Sequence, residues 1–286
     1  MQFVSAYRNN AVLSEMFFEL VHDSFGLDLR GWAQRGNWGE SYVCYSIIDA
    51  GRMIANASVS HMELLGRRPQ AAWQIGTVCT RPEYRGQGCA RELLNRIIDA
   101  ANGQGLFLFA NPTARGLYEK LGFHPGQREV APRIQLTAAS AQSQAPATVM
   151  PYAFRRGSVA EAVQAAAHNA VYSDVFDVRT LPSLAELYLH DYNKDDIWIC
   201  DEAGICAVWS RNDDRLQVHA LYGKRPADAE RLLSTMAATG ATQAEFEFMP
   251  DGWGMSDYIQ DDGPDEMFTM NLELPERIAF PGLMRA

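Results

Sequence analysis

"EYRGQGCARELLNRI", residues 83–97, decides the reading of this chain. Gly86, Gly88 and Ala90 alternate along it, and an apolar-periodic segment follows at once. Leu93, Leu94, Ile97, Ile98 and Ala101 share one helical face, which Gly103 and Gly105 end. A helix entrance stripped of side chains has two physical causes. Either the backbone packs closely there, or an anion must reach the first-turn amides. Those amides lack intrahelical partners and lie at the positive end of the helix dipole. Glycine lets phosphate oxygens approach them without an intervening Cβ. Arg85 and Arg91 add cations. The stretch lacks the Gly-Lys-Ser/Thr of a nucleotide-hydrolysing phosphate loop. Arg91 stands where a dinucleotide fingerprint wants its third glycine.

Working outward, residues 11–25 carry helical spacing through Leu13, Met16, Phe17, Leu20, Val21 and Phe25. "YVCYSII" (42–48) reads as a strand, "DAG" (49–51) as a turn and "RMIANASVSHME" (52–63) as the returning strand. "AAWQIGTVC" (71–79) is a third strand, entering the glycine-rich stretch. "LFLFA" (106–110) is wholly apolar, as inside a sheet. "TARGLYEKL" (113–121) is a short helix closed by Gly122, and Phe123 starts another strand.

Residues 137–148, "TAASAQSQAPAT", have linker composition, which divides the chain into 1–136 and 149–286. Beyond it the order repeats. Strands at 196–200, 205–210 and 216–222 are joined by turns, a helix at 226–238 follows, and "QAEFEF" (243–248) is an alternating strand. This implies a tandem duplication of an α/β fold. Each copy is expected to be a mostly antiparallel twisted sheet flanked by helices.

Net charge is -10 over 286 residues. It is uneven: residues 1–136 hold 14 Lys+Arg and 12 Asp+Glu, residues 149–286 hold 11 and 23. So acidic a chain argues against nucleic acid as a partner. No apolar run approaches the roughly 20 residues of a membrane span. "MQFVSAYRNN" lacks the pattern of a secretory signal. Five scattered cysteines without metal-ligand spacing point to a reduced cytoplasmic protein and no metal.

"RGQGCA" (85–90) fits Gln/Arg-x-x-Gly-x-Gly/Ala, and "ANPTARGLYEKLGF" (110–123) follows a short distance on. Together they resemble the GNAT superfamily of acyl-CoA-dependent N-acyltransferases, over roughly residues 1–136. A looser likeness to two-domain bacterial members of that superfamily covers most of the chain. The resemblance implies that the strand at 71–79 splays from "LFLFA", with acetyl-CoA as cosubstrate in the gap. Main chain at Val78 and Thr80 would bond the pantetheine arm, and Asn111 would also bond it. Arg85 and amides of Gly86, Gln87, Gly88, Cys89 and Ala90 would hold the pyrophosphate. Tyr118 would protonate the leaving thiolate, and an amide near Val78 would polarise the thioester carbonyl. The implied reaction is N-acetylation of a small-molecule amine.

A neutral-pH amine must first lose a proton, which calls for a base. Some members of the superfamily carry glutamate about where Gln74 stands. Glu40, His61 and Glu63 are the substitutes, Glu40 being favoured. Trp32, Trp38, Tyr42 and Tyr45 fit an amine pocket and a core equally. Cys79 and Cys89 read as small buried hydrophobes, His190 and His219 as structural. The second half departs from the pattern at "YGKRPADAE" (222–230), with one glycine and with Asp228 and Glu230 at the helix start. It is expected not to bind CoA, and to shape the pocket or mediate homodimerisation. Two other functions stay open: a non-catalytic acyl-CoA sensor, and a tandem fold without ligand.

Overall fold

The computed structural model describes residues 1–126, 129–136, 150–168, 172–223, 228–255, 257–260 and 265–286. The expected linker, and residues 224–227 of the second helix entrance, lie outside the described residues. The first half contains β1 (Gln2–Ser5), α1 (Ala11–Phe25), α2 (Arg30–Gln34), β2 (Tyr42–Asp49), β3 (Arg52–Gly66), β4 (Gln70–Thr80), α3 (Cys89–Ala101), β5 (Gly105–Ala110), α4 (Arg115–Lys120), β6 (His124–Pro125) and β7 (Val130–Gln135). The second contains β8 (Arg155–Arg156), α5 (Val159–Ala166), β9 (Phe176–Val178), α6 (Pro182–Asp191), β10 (Ile197–Cys200), β11 (Ile205–Asn212), β12 (Arg215–Gly223), α7 (Ala229–Ala238), β13 (Gln243–Phe246), β14 (Asp257–Gln260) and β15 (Glu266–Met270).

Two mixed sheets result. The first runs β1-β2-β3-β4-β5-β15-β6, and the second β14-β7-β13-β12-β11-β10-β8. The predicted order recurs: β2-β3-β4 are antiparallel and α3 crosses to parallel β5, while β10-β11-β12 are antiparallel and α7 crosses to parallel β13. Each sheet then borrows its next strand from the other half of the sequence. β15 pairs antiparallel with β5, and β7 pairs antiparallel with β13. The sheets therefore do not divide at residues 137–148. Both loans satisfy an edge: β15 pairs with the free edge of the wholly apolar β5, whose faces are buried against α3 on one side and Phe280 and Met284 on the other.

Helices cover both faces of the first sheet. α1 begins at Asn10, whose side chain accepts from the amides of Val12 and Leu13, and ends at Gly26. Its Phe17, Leu20 and Val21 are buried on the face that holds Trp32, Tyr42, Cys44 and Met53. α3 buries Leu93, Leu94 and Ile97 on the opposite face against Ala57, Val59 and Ile75. The halves meet where Phe107 of β5, Phe280 and Met284 pack with α5 and α6. There Trp32 Nε1 donates to the Ser183 carbonyl at 2.7 Å, and Arg35 pairs with buried Glu186.

Candidate active site

β4 pairs with β5 only from Ala72 to Ile75, opposite Gly105 to Leu108. Beyond Ile75 the strands diverge, so the main chain of residues 76–80 has no strand partner on that side. Val78 and Thr80 lie on this free edge. The cause is a bulge on the other side. Ser58 faces Gly76 and Asn56 faces Cys79, so Ala57 stands against both Thr77 and Val78. Thr77 sits at φ 45°, strained for a β-branched residue.

A buried network holds that conformation. Asn56 Nδ2 donates to the Thr77 carbonyl at 3.1 Å and to Thr77 Oγ1 at 3.2 Å. Thr77 Oγ1 donates to Ser58 Oγ at 2.7 Å and lies 3.1 Å from the Tyr42 hydroxyl. Ser46 Oγ donates to Asn56 Oδ1 at 2.8 Å and meets the Tyr7 hydroxyl at 2.6 Å. Ser46, Asn56 and Ser58 are fully buried, and a satisfied network of this kind fixes one geometry.

At the end of the gap, Gly86 has φ 76° and Gly88 φ 86°. A Cβ added at either would meet nothing within 4 Å. Tight packing is therefore not why these are glycines. The left-handed backbone explains them, and the face they leave is open. α3 starts at Gly88 with no side chain capping it. Arg85 is exposed, with Nε donating to the Thr80 carbonyl at 3.1 Å, and Gln87 Nε2 reaches the Glu83 carbonyl at 3.0 Å.

Tyr118, on α4, is 5% exposed and packs on Phe123 and Phe268. Burial pushes its phenol up to about 12, so it remains protonated at neutral pH. Among the described residues its hydroxyl has no hydrogen-bond partner. Asn111, just past β5, is exposed, and its Oδ1 accepts from Thr113 Oγ1 at 2.7 Å and from the Ala114 amide at 3.0 Å. That leaves its Nδ2 available.

The three base candidates separate. Glu40 is exposed, pairs with Arg8 at 2.9 Å, and lines a cavity of about 300 Å³ with Tyr7, Trp38 and Tyr42. Glu63 is held below the usual carboxylate range by Arg179. His61 stacks on Trp73 with centroids 4.5 Å apart, and burial lowers its pKa. Its ladder pair shares the face of Val59 and Ile75, opposite to Ser60 and Gln74. Gln74 is fully buried beside the gap. Trp32 and Tyr42 are core, Trp38 is partly buried against them, and Tyr45 lies on the α3 face beside Phe3. Cys89 is buried, and burial lifts Cys79 to about 11.

The second sheet repeats the splay. β12 pairs with β13 only through Val218, and His219 is the extra residue of a bulge opposite Val208 and Trp209. Little space is left there: His219 to Tyr222, Phe248, Leu283 and Met284 line a cavity of only about 30 Å³. The α7 entrance is capped by Asp228, which accepts from the Arg231 amide at 2.8 Å. Next to it, a cavity of about 390 Å³ is lined by Glu129, Glu245, Glu247, Tyr188, Phe280 and Arg285. His219 Nδ1 lies 2.9 Å from Glu247 Oε1, and its Nε2 3.0 Å from Ser210 Oγ.

Sequence reasoning missed the segment that joins this cavity to the splay. Arg285 stacks on Phe109 of β5 at 4.2 Å, grips Glu129 at 2.7 and 2.8 Å, and its carbonyl accepts from the Tyr188 hydroxyl at 2.7 Å. The next residue, Ala286, lies so close to Gly76 that a Cβ there would come within 2.4 Å of its main-chain oxygen. An isolated glycine inside a strand is the one signal that pointed here. Among the described residues no group of His, Cys, Asp or Glu is placed to hold a metal, and no helix is long and apolar enough to cross a membrane.

Residues 10–123 match the acetyltransferase (GNAT) family. The N-alpha-acetyltransferase RimI of Mycobacterium tuberculosis is 33% identical over 76 residues, 26% of this chain and 46% of that protein. An uncharacterised protein of Mycobacterium leprae is 33% identical over 88 residues, 29% of this chain and 23% of that one. The chain thus matches less than half the length of either relative. In fold it resembles a probable N-acyltransferase of Enterococcus faecalis, with TM-score 0.62 and 13% identity over 94% of this chain and 72% of the other. Eis1 of Mycobacterium abscessus gives TM-score 0.61 and 15% identity, over 94% and 73%.

Proposed function

We propose, from the match of residues 10–123 to the acetyltransferase (GNAT) family, that the protein transfers an acetyl group from acetyl-CoA to a primary amine of a small molecule by direct attack. The observation that carries this is the strained Thr77 bulge, which opens β4 from β5 next to an uncapped, side-chain-free helix entrance. The residues fit the cosubstrate. Open space above Gly86 and Gly88 suits the pyrophosphate, with amides of Gly86, Gln87, Gly88, Cys89 and Ala90 donating and Arg85 adding charge. Main chain at Val78, with Asn111 Nδ2, suits the pantetheine arm, and the Thr80 carbonyl joins it once Arg85, which now donates to that carbonyl, turns to the pyrophosphate.

Tyr118 serves the leaving sulfur. With its phenol at about 12 and a thiol near 8.5, complete proton transfer runs uphill by roughly 5 kcal/mol. Tyr118 therefore acts as a hydrogen-bond donor that stabilises the departing thiolate while keeping its proton until the charge develops. Deprotonating an ammonium of pKa ~10.4 at pH 7 costs roughly 4–5 kcal/mol. Glu40, in the cavity that Tyr42 lines, is the solvent-side acceptor for that proton. The amine enters through the cavity of Glu129, Glu245 and Glu247, where Arg285 pairs with Glu129 and Arg133 with Glu245, which leaves Glu247, bonded to His219, to meet a cation. The second half neither binds CoA nor carries chemistry; it walls this cavity. Free cysteines fit a reducing cytoplasm.

Gln74 favours one rival, an acyl-CoA sensor without turnover, because β4 offers no carboxylate beside the gap. Calorimetric titration with acetyl-CoA, followed by transfer assays on polyamines, aminoglycosides and amino acids, decides. Binding with turnover is the expected result. Binding with no turnover for any amine supports the sensor, and no binding sinks both.

A further inference from the structure

Among the described residues, four buried side-chain polar atoms lack a hydrogen-bond partner in the protein, and three sit together: Ser60 Oγ, Gln74 Oε1 and Gln74 Nε2. Ser60 and Gln74 face each other across the β3–β4 ladder, 1% and 0% exposed. The next pair on the same face is Ser58 and Gly76, where the bulge begins. On its other side Gln74 pairs with Phe107, one step before the β4–β5 ladder stops. The unpaired atoms thus lie at the closed end of the gap, on the face that carries Gly76.

An unsatisfied buried polar group is destabilising, so such a cluster persists where something completes it. The inventory limits what that is. Gln74 brings two donors and an acceptor, and Ser60 one of each. An ammonium only donates and would face the Nε2 protons. An acyl methyl offers nothing. A water donates and accepts, and buried waters make about three hydrogen bonds.

We propose that Ser60 and Gln74 hold one ordered water at the closed end of the β4–β5 gap, and that this water relays the proton from the acceptor ammonium where β4 lacks a carboxylate. The role rests on the acyltransferase reading. As the ammonium N–H bond breaks, its electron pair stays on nitrogen for the attack. The water takes that proton while handing on one of its own. On the same face the Ser58 and Thr77 hydroxyls, whose bond runs from Thr77 to Ser58 at rest and reverses as the proton passes, lead to the Tyr42 hydroxyl, which lines the solvent-open cavity of Glu40, where the proton leaves. Ser60 and Gln74 keep their own protons and act as positioning residues. The relay supplies a path, while acceptor pKa and pH set the driving force.

A crystal structure that resolves waters tests the site directly. Density within hydrogen-bond reach of Ser60 Oγ and the Gln74 amide is expected. Its absence, or a Gln74 amide turned onto a protein partner, overturns the proposal. Gln74→Leu and Ser60→Ala test the role. Both should leave thermal unfolding and CoA affinity unchanged, and lower turnover on the order of 10²-fold at pH 7. The deficit should shrink toward pH 10, where the free amine needs no relay. Ser60→Thr, which keeps the hydroxyl, should retain most of the rate. A pH-independent deficit, or none, overturns the relay. A wild-type protein that binds acetyl-CoA and acetylates no amine refutes the acyltransferase reading and the relay with it, while the density still decides the water site.

Discussion

Replacing Gly88 separates charge from geometry at the helix entrance. Gly88 is the first residue of α3's cap, at φ 86°, with nothing within 4 Å of an added Cβ. Any L residue there meets backbone strain of roughly 1–2 kcal/mol, least for Asn and Asp. Gly88→Asn and Gly88→Asp have the same shape and share that cost. Only Asp adds a charge where a pyrophosphate is proposed. Two unit charges about 4 Å apart at an effective dielectric of about 20 repel by roughly 4 kcal/mol, close to 10³-fold in affinity. An Asp there also complements the helix dipole, recovering a few tenths of a kcal/mol. The expected outcome is two variants of equal thermal stability, of which only Gly88→Asp loses acetyl-CoA binding in calorimetric titration, by about 10³-fold. Equal loss in both would trace the effect to backbone strain. No loss in Gly88→Asp would remove the pyrophosphate from this helix.

Two further outcomes follow from buried groups. Tyr118→Phe should leave acetyl-CoA affinity within about twofold and lower kcat on the order of 10²-fold; full rate with a true acceptor would end the donor assignment. Asp177 is buried, and that burial raises its carboxyl to about 6 despite amide bonds from Tyr172 and Val178. The unfolded chain releases this proton near 3.9 and the folded one near 6, so the contribution of Asp177 to stability is greatest below about pH 4. It falls by about 3 kcal/mol as pH rises through 6. Urea unfolding from pH 4 to 7 should show that slope, and Asp177→Asn should flatten it; an unchanged slope in the variant would assign the titration elsewhere.

Local signals carried the first half. The 3.6-residue spacing of Leu93, Leu94 and Ile97 gave α3 to its buried face, and the glycines gave its entrance. What local pattern cannot carry is partner choice between distant strands. β7 (VAPRIQ) and β15 (EMFTM) carry no spacing or motif that sets them apart, and nothing in either says that it completes the other half's sheet. The same blindness hid the site's supports. Thr77 is one Thr in a strand until Asn56, Ser58 and Tyr42 converge on it from two other strands. Arg285 carries no sequence mark, and its role comes from lying over Phe109 and against Glu129.

The two splays explain each other. Both sheets open by the same device, one extra residue in the strand before the crossover helix, Thr77 in one and His219 in the other. They part at the helix entrance. At α3 the amides face open space above glycine, whereas at α7 the Asp228 carboxylate already takes the Arg231 amide. An entrance that supplies its own anion has no use for another. Its gap is then free to be filled from within, and Leu283 and Met284 fill it. That filling anchors the residues that follow. Arg285 and Ala286 are set against Phe109 and Gly76 because the two residues before them are locked into the second splay. The filled gap of the second sheet is therefore what brings Arg285 and Ala286 to the open splay of the first.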